Sequence, residues 1–262
     1  MVIPCIDMKI ILIGAGNLAT RLAVALQKKG MTPAYIYSRT RESAEQLSER
    51  LHDVPHSTDI SQVSTDGDLY IFAVKDSALL DLVSRMPSNR GLWVHTAGSM
   101  DMEVFAPYTA RYGVFYPMQT FSKERETDFD DIPIFVEANH TDDTERLQEL
   151  AGRLSTKVYE ATSEQRKYLH LAAVFACNFT NHLYALCDRI LSEHGLPFET
   201  MLPLIRETAA KVADMPPAQA QTGPAIRYDK NVIDKQMALL SDPTMRQIYD
   251  LMSRSIHETN KH

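Results

Sequence analysis

The chain has 262 residues, 44% of them hydrophobic, and a formal net charge of -7 from 27 Lys and Arg against 34 Asp and Glu. That length buries a substantial core and accommodates two modest domains, while the acidic balance gives no basic footprint for nucleic acid or an anionic membrane. No apolar run reaches membrane-spanning length, the first residues lack the pattern of a secretory signal, and Cys5, Cys177 and Cys187 show no metal-ligand or disulfide-framework spacing, so a reducing, cytoplasmic setting without a metal is expected.

Residues before Met8 add little to the first strand, which leaves Met1 and Met8 as alternative functional starts. After Lys9, an apolar run over 10–13 leads into Gly14-Ala-Gly16-Asn-Leu-Ala19 and then into an amphipathic helical pattern reaching Leu26. Strand, glycine turn and helix in this order form a dinucleotide-binding turn. Gly14 permits the reversal, Gly16 leaves room for a pyrophosphate, and Ala19 lets helix and strand pack closely; Asn17 and Leu18 open the helix whose N-terminus faces the phosphates. After a short strand at 34–37, the turn Ser38-Arg39-Thr40-Arg41 has no acidic residue where NAD sites place one. Its guanidinium and hydroxyl groups suit a 2'-phosphate, so NADP is expected over NAD.

Residues 41–51 read as a charged helix and 68–74 as a central strand covered on both faces, leading to Val74 and Lys75 at the cofactor side. Strands at 92–95, 112–116, 132–136 and 157–159 are interleaved with helices at 77–86 and 144–154. This alternation implies an α/β fold with a doubly wound, Rossmann-type parallel sheet. From about Ser163 the pattern changes to long helices over 164–192, 197–213, 232–240 and 243–258, the first entered through Thr162 or Ser163. The expected organisation is a nucleotide-binding domain over 1–160 and an all-helical domain over 161–262, joined without a Gly/Ser linker and separated by a fixed cleft.

Ligands of open α/β sheets bind beyond the carboxyl ends of the strands, where Lys75, His95 and the segment after Tyr116 fall. Lys75 reads as a contact to the cofactor or as a solvated loop charge. His95 reads as a group beside the nicotinamide or as a hydrogen-bonded strand-end histidine. Gln119, Ser122 and Lys123 offer donors and acceptors to a small polar or anionic ligand. On the first long helix, His170, Asn178 and Asn181 share a face by α-helical spacing, amid apolar residues. Amides in such a setting need partners, either substrate and nicotinamide carboxamide or neighbouring helices; His170 is the first candidate for a proton donor and His95 the second. The rigid turn Thr222-Gly-Pro-Ala-Ile-Arg227 presents Arg227 to a carboxylate or phosphate of a substrate, or to an internal acid, with Asp229 placed to cap the next helix.

The segments 11–19, 37–40 and 71–76 resemble the nucleotide-binding half of the pyrroline-5-carboxylate reductase and 6-phosphogluconate dehydrogenase superfamily. Over nearly the whole chain, His95-Thr-Ala-Gly-Ser99, Tyr116-Pro-Met-Gln-Thr-Phe-Ser122, Leu171-Ala-Ala-Val-Phe-Ala-Cys-Asn178 and Gly223-Pro-Ala-Ile-Arg227 resemble bacterial two-domain proteins assigned as NADP oxidoreductases with a C-terminal domain of unknown function. The resemblance implies the fold, NADP as cofactor and, by analogy with helical second domains of the superfamily, a homodimer; it implies no particular substrate. Two positions depart from relatives. Val174 stands where the hydroxyacid dehydrogenase branch has its catalytic lysine, which argues against simple hydroxyacid chemistry, and Gln236 stands where the resembling group often has a histidine. Two functions follow as expectations: hydride transfer between NADPH and a small C=O or C=N substrate, or a non-catalytic NADP-binding redox sensor acting through a protein partner.

Overall fold

The computed structural model describes residues 8–260; Cys5 and the Met1 alternative for the functional start lie outside that range. The chain divides into two compact units, Met1–Cys177 and Asn178–His262. The division falls later than the change of sequence rhythm near residue 160, because the first turns of the long helical stretch pack with the sheet.

In the first unit, β1 (Ile10–Ile13) is buried on both faces. Its alternate side chains serve two cores, Ile10 and Leu12 on one side and Ile11 and Ile13 on the other, as the period of two requires. Helix α1 (Asn17–Lys28) covers the first side through Ala19, Leu22, Ala23 and Leu26, spaced to form one helical stripe. The opposite side is covered by α3 (Asp76–Arg85), whose Leu79, Leu82 and Val83 meet a cluster of Phe72, Trp93 and Phe105. The ring centroids of Phe72 and Phe105 lie 5.1 Å apart, and those of Trp93 and Phe105 6.0 Å apart in an edge-to-face arrangement.

The remaining elements are β2 (Tyr35–Tyr37), α2 (Arg41–Arg50), β3 (His56–Ser57), β4 (Leu69–Phe72), β5 (Leu92–His95), β6 (Tyr112–Pro117), β7 (Ile134–Ala138), α4 (Thr141–Leu154) and β8 (Val158–Glu160). They form a single eight-stranded sheet in the order β3-β2-β1-β4-β5-β6-β7-β8. Every junction is parallel except β6 with β7, where Gly113 pairs with Ala138 and Pro117 with Ile134 in antiparallel register. The wholly parallel sheet expected from sequence is corrected at this one place. Between β6 and β7 the chain forms no helix, so it returns without the crossover that a parallel neighbour needs; α4 then supplies such a crossover and β8 lies parallel to β7. The two-residue β3, which was not anticipated, extends the opposite edge.

Helix α5 (Ser163–Ala173) starts with a capping box in which the Thr162 side chain accepts from the Gln165 amide and the Gln165 side chain accepts from the Thr162 amide. A π-helical segment, Val174–Phe179, follows. The α-helical spacing that put His170, Asn178 and Asn181 on one face therefore does not run unbroken through this stretch, because hydrogen bonds to the fifth residue change the period.

The second unit contains α6 (Thr180–Glu193), α7 (Leu202–Asp214), the short α8 (Pro217–Ala220), α9 (Lys230–Leu239) and α10 (Pro243–Thr259). Asp242 caps α10 by accepting from the Thr244 and Met245 amides, and it also pairs with Arg189 at 2.9 Å. The Gln236 side chain accepts from the Tyr249 hydroxyl at 2.5 Å, tying α9 to α10. No residue of α6 or α7 is buried, and Leu204, Val212, Leu239 and Leu251 are exposed. No helix among the described residues is long and apolar enough to cross a membrane, and no group of three or more His, Cys, Asp or Glu is arranged to hold a metal ion.

Candidate functional site

The turns following β1, β2, β4 and β5 lie at the carboxyl ends of adjacent parallel strands. Gly14 has φ +125°, donates its amide to the Tyr37 carbonyl at 2.7 Å, and sits where a Cβ would approach the Ala73 carbonyl oxygen to 2.3 Å. Only glycine fits this crossing of the β1 and β4 turns. Gly16 is the N-cap of α1, and a Cβ there would meet nothing within 4 Å. The helix has no side-chain cap and no acidic residue in its first turn, so the amides of Asn17, Leu18 and Ala19 receive no capping side chain and stand at the positive end of the helix dipole. This is the geometry that a pyrophosphate requires.

Ser38 is buried at the end of β2, its amide donating to the Ser57 carbonyl at 3.1 Å. Arg39 and Thr40 are exposed beyond it; Thr40 is the N-cap of α2 without using its hydroxyl as a cap, and Arg39 has no ion pair among the described residues. Val74 is half-buried against the Gly14 turn, and Lys75 is the exposed N-cap residue of α3.

The segment after β6 is held over α1. Asn17 Nδ2 donates to the Phe121 carbonyl at 3.1 Å, Arg21 Nε donates to the Ser122 carbonyl at 2.8 Å, and Arg21 Nη2 donates to the Lys123 carbonyl. The Asn17 side chain thus supports this strap, leaving its backbone amide at the helix end. Gln119 is exposed, and its Oε1 accepts from the Thr120 amide and hydroxyl.

His95 is completely buried, its ring tilted against Phe105 with centroids 5.7 Å apart, and its Nδ1 accepts from the Ala97 amide at 3.2 Å. Its Nε2 reaches no hydrogen-bond partner of normal geometry among the described residues. Burial, reinforced by the Arg166 guanidinium, pushes the His95 pKa down to about 4 against weaker opposing effects of Asp101 and Asp76. A neutral, enclosed imidazole does not act as a cationic proton donor; it shapes the turn.

His170 is exposed on α5, and its Nδ1 lies 3.2 Å from the Tyr116 hydroxyl. A Cβ on Gly98 would come within 2.7 Å of the same nitrogen. His170 is therefore brought against the turns following β5 and β6. Beneath it, Arg166 is fully buried and Glu137 has a side-chain exposure of 15%. Arg166 Nη1 donates to Glu137 Oε2 at 2.8 Å, Nε to the Ala97 carbonyl at 3.2 Å, and Nη2 to the Met100 carbonyl at 2.5 Å. Glu137 also accepts from the amide and hydroxyl of Ser163, while Ser163 Oγ accepts from the Met102 amide. Sequence reasoning did not anticipate Arg166, Glu137, Arg21 or the hydroxyl of Tyr116. The available signal was a charged residue on the otherwise apolar stripe of a helix, Arg21 on α1 and Arg166 on α5.

Asn178, Asn181 and Arg227 belong to the second unit and are exposed there. Arg227 lies within a turn in which Tyr228 has φ +48°, the Tyr228 ring stacked on His257 at 4.7 Å, and Asp229 caps α9 as expected.

A Rossmann-like architecture accompanied by a helical unit is what this geometry defines. Residues 3–118 match a Rossmann-like domain, and residues 132–256 match a domain of unknown function, DUF2520. A putative NADP oxidoreductase from Bacteroides fragilis is 53% identical, with 96% of this chain and 98% of that one covered at a TM-score of 0.90. The chain belongs to this family of two-domain proteins with a Rossmann-like and a DUF2520 domain. A reductive aminase from Aspergillus terreus, solved with NADPH and ethyl-5-oxohexanoate, shares the fold at 15% identity, 97% and 95% coverage and a TM-score of 0.74. So does an imine reductase from Myxococcus stipitatus in complex with NADP+, at 17% identity, 97% and 94% coverage and a TM-score of 0.65. No curated protein matches the chain.

Two outcomes follow from the buried groups. Glu137→Ala leaves the Arg166 charge buried without its acid and lowers unfolding free energy by about 3–5 kcal/mol in urea titrations; a loss below about 1 kcal/mol would show the pair to be dispensable. His95 is held neutral, so the unfolded chain binds more protons between pH 6.5 and about 4, and stability falls as pH is lowered through that window. His95→Asn removes up to about 3 kcal/mol of that acid-dependent loss, seen as a flatter dependence of unfolding free energy on pH.

Proposed function

We propose that the chain is an NADP-dependent oxidoreductase acting on a small C=O or C=N compound. The observation that carries this reading is the opening at Gly16, where a Cβ would meet nothing within 4 Å at the uncapped start of α1, together with the Ser38-Arg39-Thr40 turn, whose Arg39 and Thr40 are exposed. A pyrophosphate on the first and a 2'-phosphate on the second satisfy both, with Gly14 and Ala19 maintaining the close packing behind them and Val74 and Lys75 bordering the ribose. The 53% identity to the Bacteroides fragilis protein supports the same cofactor.

When bound, NADPH supplies a hydride to the carbon of the substrate. His170 is assigned the proton: as imidazolium it gives Nε2–H to the developing alkoxide or amine and becomes neutral imidazole. His95 has the supporting task of holding the Thr96-Ala97-Gly98 turn through the Ala97 amide. Gln119, Ser122 and Lys123 provide the polar segment for the substrate, held over α1 by Arg21. In the second unit we assign Asn178, Asn181 and Arg227 to substrate binding, with Arg227 for a carboxylate or phosphate. We also propose that the protein is a homodimer, a reading supported by the exposure of the large apolar side chains Tyr168, Leu171 and Phe175 in the first unit and Leu204 and Leu251 in the second.

Fluorescence titration tests the cofactor first: NADPH binds at least about 10-fold more tightly than NADH, and Arg39→Asp abolishes the preference. His170→Ala keeps NADPH affinity while lowering turnover on a screen of carbonyls and imines by roughly 100-fold or more. Unchanged turnover would eliminate His170 as donor, and NADPH binding without turnover on any substrate would favour the sensor. Light scattering behind size exclusion gives twice the chain mass at micromolar concentration if the apolar surface is a dimer face; a monomer refutes it.

A further inference from the structure

His170 projects from an exposed helical surface, yet its ring is held by two neighbours. The Tyr116 hydroxyl lies 3.2 Å from Nδ1, and the two rings meet edge to face with centroids 6.4 Å apart. Against the same end of the ring, Gly98 leaves a space that any side chain would close, since a Cβ would stand 2.7 Å from Nδ1 and 2.8 Å from Cγ. Tyr116 itself cannot wander: it is buried at the end of β6 and tilted against Phe135 at 6.4 Å. The turn carrying Gly98 is pinned by Arg166, which donates to the carbonyls on either side of it, Ala97 and Met100.

We propose that Tyr116 is the positioning residue of His170, its hydroxyl donating to Nδ1 of the resting neutral imidazole and accepting from Nδ1–H both of the imidazolium and of the neutral ring left when Nε2–H is given up, so that Nε2 remains the outward nitrogen throughout. A hydroxyl is suited to this because it is donor and acceptor at once and needs only to rotate. A carboxylate partner would favour one charge state strongly, and an amide would have to turn over. Burial keeps the phenol protonated, opposed by Arg166 and assisted by Asp76 and Cys177, the charged and titratable groups around it. The proton count closes: His170 loses only Nε2–H to the substrate, Nδ1–H remains on the ring pointing at the phenol oxygen, and solvent returns the proton at Nε2 before tautomeric exchange. The assignment deepens the reading of His170 as proton donor and rests on it only for its catalytic consequence.

Full-length protein labelled with 15N-histidine, free of substrate, provides the test, the His170 signals being recognised by their loss in His170→Gln. In the native protein neutral His170 is expected to show an Nε2–H tautomer with Nδ1 displaced by an accepted hydrogen bond. Tyr116→Phe, which keeps the ring packed on Phe135, removes that displacement and raises the Nδ1–H tautomer 2-fold or more. Gly98→Ala, whose new methyl presses on the imidazole, must disturb the same Nδ1 signal, and this second variant decides the matter if Tyr116→Phe does not fold. Unaltered Nδ1 signals in either folded variant overturn the proposal whatever the turnover. In a working assay Tyr116→Phe lowers kcat roughly 10- to 100-fold with KM and NADPH affinity within 2-fold, as expected for misplacement of a donor. Changed Nδ1 signals with no hydride transfer by the native protein would support the clamp while refuting the oxidoreductase reading.

Discussion

The buried pair of Arg166 and Glu137 is the constraint on which the candidate site depends. A fully enclosed guanidinium is tolerable only when its donors are used, and here they reach a carboxylate, a hydroxyl and two backbone carbonyls. Each partner belongs to a different piece of structure: Glu137 to β7, Ser163 to the start of α5, Ala97 and Met100 to the turn after β5. The charge thereby fixes the angle at which α5 leaves the sheet, and with it the place where His170 meets Gly98 and Tyr116. It also acts at a distance, since the same cation disfavours a second positive charge on the buried His95. The two histidines thus stand in different settings, His95 sealed and held neutral chiefly by burial, His170 exposed on α5.

Backbone geometry governs the cofactor side in a comparable way. Gly14 is needed because the β1 and β4 turns cross at a distance that excludes a methyl group, whereas a Cβ at Gly16 would meet nothing within 4 Å, so packing alone makes no demand there. The strand, the glycine turn and the helix were readable from sequence, because two glycines between an apolar run and an amphipathic pattern are local signals whose spacing carries the geometry. The apolar strands were readable for the same reason, with alternate residues feeding two cores.

What could not be read depended on pairings distant along the chain or on elements too short to have a period. The antiparallel return of β7 leaves no mark in an apolar run, which looks the same in either direction. The two residues of β3 carry no pattern at all. Arg166 and Glu137 are 29 residues apart, and Arg21 and the Ser122 carbonyl 101 apart, so neither contact has a motif. The helical wheel that grouped His170 with Asn178 and Asn181 assumed one period throughout, and the π-helical segment breaks that assumption. His95 was visible as a candidate, but its charge state depends on complete burial, which a sequence does not print.

The span of the Arg21 contacts has a consequence for the order in which the molecule is made. As the chain emerges from the ribosome, β1, α1, β2 and β4 can pair as soon as about 70 residues are free, because all four lie within that length. The carbonyls of Phe121, Ser122 and Lys123 that strap α1 do not yet exist at that moment. The nascent nucleotide half therefore carries a guanidinium on α1 without its acceptors, and it remains the less protected part until the segment after β6 closes over it. Any factor that shields nascent chains meets this protein with α1 formed but not yet tied down.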